Sequence, residues 1–269
     1  MRLFEYLQQL HTLLQYHRSS GVTHYPRDQG TERFIRAANG DQLSLLPADG
    51  EEYAAKESFP RPSVSVEVKE GSTDGDAALA ALVEEVAVCR ACSLSRHRLV
   101  ARAGKGGRSG VRLIIVGDWL RCGSDTAVPD SVMFGVEEDR MLARMLEAIH
   151  LPLENVYISN VIKCVVPETH QPAADHIRTC SSYLQRQVTM LEPECICAMG
   201  LVAARAIVGG SLSLSQLRGR LHSIVVGEGR QVSVMATYHP SFLLKNPEMK
   251  RAAWVDLQGI GRRLKLLPG

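Results

Sequence analysis

Four cysteines stand where they could share one inorganic group. Cys89 and Cys92 form a Cys-x2-Cys pair, and Cys164 and Cys180 follow, with fifteen residues between them. Thiolates are soft ligands, and their number and spacing narrow the choice of metal. A zinc ribbon favours two close pairs, and only one pair here is close. A thioredoxin-type pair needs a preceding strand and no further partners. One tight pair plus two distant single ligands suits a [4Fe–4S] cube, which takes four cysteines, although this spacing is not that of ferredoxins. On spacing alone a cluster, a zinc ion and unliganded thiols all stay open. Cys195 and Cys197 alternate with Ile196 in an apolar run and read as buried small hydrophobes. Cys122 has no assignable role. Seven cysteines is an odd number, and with no secretion signal in view it argues against a disulfide framework.

The elements that would carry such a site begin after a long N-terminal stretch. Residues 2–17 read as an amphipathic helix, with Leu3, Leu7, Leu10 and Leu14 at three- and four-residue steps. Its polar face is not rich in Lys and Arg, so it reads as packing on protein rather than on a membrane. We assign residues 1–38 to a helical extension and the acidic, Pro/Ser/Gly-containing residues 39–78 to a flexible linker. From Leu79 to Gly269 apolar strands alternate with helices. The strands are 112–116, 156–160, 195–199 and 232–237, and the helices are 137–150, 173–191, one after Gly200, and 247–265. Alternation of this kind predicts an α/β fold, a three-layer αβα sandwich around a mostly parallel four-stranded sheet. Ligands of such sheets lie beyond the carboxyl ends of the strands, here Gly117-Asp118, Asn160, Met199-Gly200 and Tyr238-His239. Polar groups end three of the four strands, but any α/β domain shows some there. Asn160 as a strand cap, His239 as a loop histidine and Phe134 as core are open readings on the residues alone.

The composition sets outer bounds. The chain has 269 residues, 45% apolar and 22% charged, with a net charge of +2. These proportions exclude disordered, collagen-like and strongly basic packaging proteins. No stretch approaches the ~18 apolar residues of a membrane span. Glu5, Gln8, Gln9 and His11 break up any signal-peptide core, and we expect a cytoplasmic protein. Residues 1–79 hold 8 Lys+Arg against 12 Asp+Glu, a net of −4, and residues 80–269 hold 23 against 17, a net of +6. A polyanion partner therefore suits the second part.

Several segments together carry a resemblance. They are Cys89-Arg-Ala-Cys-Ser-Leu94, Ser159-Asn-Val-Ile-Lys-Cys164, Cys180-x2-Tyr-Leu-x2-Gln187, Leu217-Arg-Gly-Arg220 and Tyr238-His-Pro-Ser-Phe-Leu-Leu-Lys-Asn-Pro247. Over residues 85–265 the sequence resembles the family 4 uracil-DNA glycosylases, the iron–sulfur branch of their superfamily. The resemblance implies a DNA-repair hydrolase that flips a deaminated base, uracil first, out of DNA and cleaves its N-glycosidic bond. It implies that Cys89, Cys92, Cys164 and Cys180 hold a [4Fe–4S] cluster. It gives Asn160 the Watson–Crick edge of uracil, Phe134 the stacking face and His239 the uracil O2, where charge develops as the bond breaks. Leu243 and Leu244 fall on the loop that wedges into the duplex. Lys163, Arg218, Arg220 and Lys245 are candidate phosphate contacts. The implied partner is uracil-containing DNA, single- or double-stranded, bound by a monomer without a membrane.

The first motif departs from the family. The family reads Gly-Glu-Ala/Gly-Pro-Gly after the first strand; here Gly117-Asp118-Trp119-Leu120-Arg121-Cys122-Gly123 stands instead, with no Pro-Gly. Asp118 takes the place of the family's Glu and is the positional candidate for orienting the attacking water, ahead of Asp125 and Asp130. The alteration keeps a second reading in view, a non-catalytic iron–sulfur DNA-binding or damage-sensing paralogue. A zinc-binding redox or scaffold protein is a third.

Overall fold

The structure is a computed structural model that describes residues 72–123 and 129–268, with side chains from Gly75 onward. The extension 1–38, most of the linker 39–78, and Asp125 lie outside the described residues. Helix α1, Ser72–Val88, starts inside the stretch read as linker. Leu79, Leu82 and Val86 recur at helical spacing and are all buried, so this helix is part of the folded unit rather than a tether. Arg186 and Glu85, 2.7 Å apart, tie it to helix α3, Ala174–Leu191.

The central sheet is built from β2 Lys105–Gly106, β3 Leu113–Gly117, β5 Val156–Asn160, β7 Cys195–Met199, β8 Leu221–Val226 and β9 Arg230–Thr237. Its order is β2-β5-β3-β7-β9-β8. Strands β5, β3, β7 and β9 run parallel, and β2 and β8 flank them antiparallel. The four predicted strands are these four parallel ones. The expected four-stranded sheet is thus a six-stranded one, because β2 is too short to signal itself and β8 forms a hairpin with β9 across Gly227-Glu228-Gly229. A second, three-stranded sheet joins β1 Val100–Ala101, β6 Cys164–Pro167 and β4 Arg121–Cys122 in the order β1-β6-β4.

Side chains alternate across the central strands and bury both faces. Ile114, Val116, Ile196, Ala198, Val234 and Ala236 face α1, α3 and α4, Leu201–Val208. Leu113, Ile115, Cys195, Cys197 and Met199 face α2, Val136–Ala148, and α7, Lys250–Arg263. The result is the αβα sandwich, and Cys195 and Cys197 are core residues with no solvent exposure. No helix among the described residues is long and apolar enough to cross a membrane.

Register sets the place of the site. Gly117 pairs with Asn160, and Met199 with Thr237, so the carboxyl ends of all four parallel strands form one edge. Two short helices follow there, α5 Leu214–Leu217 ahead of β8 and α6 Pro240–Lys245 directly after β9.

Candidate active site and thiol recess

At that edge Asn160 ends β5 and is only 3% exposed. Its Nδ2 donates to the Met133 carbonyl at 2.7 Å, while its buried Oδ1 has no hydrogen-bond partner among the described residues. A buried acceptor left unpaired is costly, and that marks a site made for a ligand's N–H. Gly117 lies opposite. A Cβ there would come within 2.5 Å of both Asn160 Oδ1 and Phe134 Cε1, so the close approach of amide and ring needs glycine.

The Met133-Phe134 segment is held by Asp139 in the first turn of α2. Asp139 accepts from Met133 N at 2.9 Å and Phe134 N at 3.0 Å, and Lys105 Nζ reaches the same carboxylate at 2.9 Å. Phe134 is buried, and its ring centroid lies 5.0 Å from that of His239.

His239 owes its orientation to the sequence His-Pro-Ser. It caps α6, and Pro240 at the first helical position has no N–H. The first free N–H in the turn is that of Ser241, which donates to His239 Nδ1 at 3.2 Å; Ser241 Oγ lies 2.8 Å from the same nitrogen. A backbone N–H can only donate, so Nδ1 is the acceptor and the neutral ring carries its proton on Nε2. That Nε2 is buried and has no partner among the described residues. Burial pushes the imidazole down to about 4, so it stays neutral at ordinary pH.

Asp118 follows Gly117 but turns to the start of α4. Its Oδ1 accepts from Ala203 N at 2.7 Å, and Gly200, at φ +105°, leaves space that a Cβ would take from this carboxylate. It is half-buried, and desolvation raises its pKa to about 7 against the pull of the Ala203 and Val202 amides and Arg121. Asp130 is fully exposed, 3.6 Å from Arg102. The structure therefore gathers Gly117, Asn160, Phe134 and His239, and sets Asp118 at the adjoining strand end as a helix cap. Asp139, which fixes the Phe134 segment, was missed in the sequence; its only signal is an acid in a helix's first turn.

The proposed DNA contacts divide. Leu243 is 1% exposed, packed with Met141 and Ala253, and cannot wedge; Leu244, its neighbour, is exposed. Arg218 is not free for phosphate. Its guanidinium bonds Asp256 Oδ2 through Nε at 3.0 Å and Nη2 at 2.8 Å, and lies over the Tyr238 ring. Lys163 is buried, not on the surface. Arg220 and Lys245 are exposed.

Cys89, Cys92, Cys164 and Cys180 line one open recess with Arg98 and Tyr183. Burial raises the Cys164 thiol, and the Cys180 thiol to about 11. Three of the sulfurs face N–H groups: Ala91 N to Cys89 at 3.5 Å, Lys163 N to Cys180 at 3.3 Å and Arg98 Nη1 to Cys164 at 3.9 Å. Cys122 sits apart, half-buried, in β4.

Comparison with known proteins agrees with this architecture. The sequence profile of the uracil DNA glycosylase superfamily matches residues 104–258. A type-4 uracil-DNA glycosylase of Archaeoglobus fulgidus is 29% identical over 184 residues, 67% of this chain and 90% of the relative. One from Thermotoga maritima is 30% identical over 179 residues, covering 65% and 88%. A type-5 uracil-DNA glycosylase of Pyrobaculum aerophilum matches over a shorter stretch, 33% identical over 93 residues, 34% of this chain and 38% of the relative. With a profile match across the whole sheet and type-4 relatives aligned over most of their length, the chain belongs to the uracil DNA glycosylase superfamily, on its type-4 branch.

Proposed function

We propose that this protein is a DNA-repair hydrolase that removes uracil from DNA. One observation carries the reading: a buried acceptor, Asn160 Oδ1, and a buried neutral donor, His239 Nε2, both lack partners among the described residues around the Phe134 ring. Uracil complements them. Its N3–H donates to Asn160 Oδ1, the second proton of Asn160 Nδ2 meets O4, and O2 accepts from His239. Cytosine offers an acceptor at N3 and an amine at C4, so each contact with Asn160 opposes like with like.

The chemistry follows from charge. The C1′–N1 bond breaks with its electron pair passing to the base, and negative charge gathers on O2 beside His239. A preorganised donor there stabilises the leaving anion. Being neutral, His239 does this by hydrogen bonding rather than by proton transfer. A water adds to C1′ and gives up its proton, leaving an abasic site and free uracil. Asp118, next to Gly117, is the carboxylate we assign to orient that water. The non-catalytic alternative is less favoured because the relatives aligned over most of their length are named type-4 uracil-DNA glycosylases.

We also propose that Cys89, Cys92, Cys164 and Cys180 hold one [4Fe–4S] cluster. The four thiols line one recess. In a cube each of the four thiolates would bind a different iron, and the N–H groups facing three of the sulfurs suit ligands that carry negative charge. The cluster would tie α1, β6 and α3 together, a structural role. Leu244, Lys245 and Arg220 are the exposed residues left to meet DNA, which we expect a monomer to bind.

Single-turnover excision assays on single- and double-stranded oligonucleotides containing uracil, hypoxanthine or xanthine test the assignment. Release of uracil that depends on Asn160 and His239 is expected. A folded, DNA-binding protein that releases no base from any of them refutes the enzyme reading.

A further inference from the structure

Lys163 lies between the base pocket and the thiol recess, and its side chain serves the pocket. Nζ donates to Ser159 Oγ, to the backbone carbonyl of Asn160 and to Gln187 Oε1, each at 2.7 Å. An ammonium has three protons, and all three are used. None of the three acceptors carries a charge. The acceptors are themselves fixed: Ser159 Oγ and Gln187 Nε2 both donate to the Ala103 carbonyl, at 2.7 and 2.8 Å, and Gln187 Nε2 also reaches Tyr157 Oη at 3.2 Å. Burying a lysine this way costs stability that an apolar side chain of similar volume would not. What the arrangement secures is the peptide of Asn160, held from behind by Lys163 while Met133 O holds its amide nitrogen at 2.7 Å.

We propose that Lys163 is a positioning residue for base recognition, fixing the Asn160 peptide so that Oδ1 stays aimed into the pocket and uracil is preferred over cytosine. The inference rests on Asn160 being the amide that reads the base. Small displacements of such a group have large effects on a reaction that needs aligned partners.

The test uses the full chain with its cluster, with Lys163→Met made alone and on an Asn160→Ala background. Three quantities are measured: iron content, uracil excision in a single turnover, and affinity for oligonucleotides carrying non-cleavable 2′-fluoro-deoxyuridine against 2′-fluoro-deoxycytidine. Iron should be unchanged, because the hydrogen bond from Lys163 to a cysteine, Cys180, comes from its backbone N–H, which the substitution keeps. Excision and the uracil preference in binding should each fall about tenfold. On the Asn160→Ala background the same substitution should cost less than about twofold, since residues acting as a unit are not additive. Equal losses on both backgrounds, an intact uracil preference, or lost iron would each overturn the proposal. If Lys163→Met does not fold, Ser159→Ala removes one anchor of the amine; an unreduced uracil preference there overturns it equally. A wild-type chain with no preference for fluoro-deoxyuridine would instead remove the base-reading role of Asn160.

Discussion

Phe134 and His239 face each other with ring centroids 5.0 Å apart and planes inclined by 53°. The stacking surface and the hydrogen-bond donor are thus immediate neighbours, yet different elements hold them. Asp139 of α2 anchors the Phe134 segment, and the first turn of α6 fixes the His239 ring. Pocket geometry therefore depends on two helices being seated on the same sheet edge, and substitutions at either anchor should act on one shared property.

Removing either reader of the base should show this directly. Loss of one preorganised donor typically costs about a hundredfold in rate. His239→Ala and Asn160→Ala should each lower single-turnover uracil excision by roughly that factor while leaving affinity for undamaged DNA in place. Equal excision by wild type and variants would take both residues out of the reaction.

The neutral imidazole also makes a prediction about acid. Folded His239 takes a proton only near pH 4, whereas an unfolded histidine titrates near 6.5. Between these values the unfolded chain binds more protons, so stability is lost as pH falls through the window. Urea midpoints at pH 7.5 and 5 should drop further for wild type than for His239→Asn. The same burial predicts that His239 itself adds no acid limb near 6.5 to the rate of excision. With Asp118 replaced by Asn the rate should be flat there, and a His-like limb in that variant would contradict the buried neutral ring.

Adjacent leucines should behave oppositely. Leu243→Ala opens a cavity in a packed cluster and should destabilise the fold by ~2–5 kcal/mol. Leu244→Ala removes an exposed side chain and should leave the unfolding midpoint nearly unchanged. If Leu244 is the wedge, its loss should slow excision from duplex about tenfold and spare single-stranded DNA, which has no stack to hold open. Equal slowing on both substrates would rule out a wedge.

The contrast shows what was legible in the sequence. The four parallel strands could be read because each is an apolar run buried on both faces. The two-residue β2 carries no such signal. The Cys89, Cys92, Cys164 and Cys180 set could be read as a group because thiols are rare and their order is distinctive. Which of Leu243 and Leu244 faces outward depends on the phase of a six-residue helix fixed by His239 and Pro240. Arg218 and Lys163 looked like surface charges because one partner that fixes each is distant in the chain: Asp256 for the first, Gln187 for the second. Long-range pairing of a charge is set by tertiary structure, and composition does not report it.

The cysteine assignment predicts that anaerobically purified protein is brown, with about four irons per chain. Cys89→Ala, Cys92→Ala, Cys164→Ala or Cys180→Ala should each lower the iron. Cys195→Ala and Cys197→Ala should not, because both thiols lie inside the sheet core. Stoichiometric zinc without iron would reject the cluster.

Asp118 sets function against stability. Its carboxyl has a raised pKa of about 7 because burial disfavours the charge, even with α4 amides directed at it. A carboxyl protonated more readily when folded favours the fold at low pH, and this contribution is lost as pH rises through about 7. Orienting a water toward C1′, by contrast, needs the ionised form. Excision by wild type should therefore rise with pH through about 7 while the urea midpoint falls over the same interval. Asp118→Asn cannot ionise, so it should lack both trends, with a slower, pH-flat rate and a relative gain in stability above pH 7. Rate profiles and midpoints at several pH values between 6 and 8 separate the two effects. If the variant keeps the wild-type profile, Asp118 caps α4 and nothing more, and the water is placed without it.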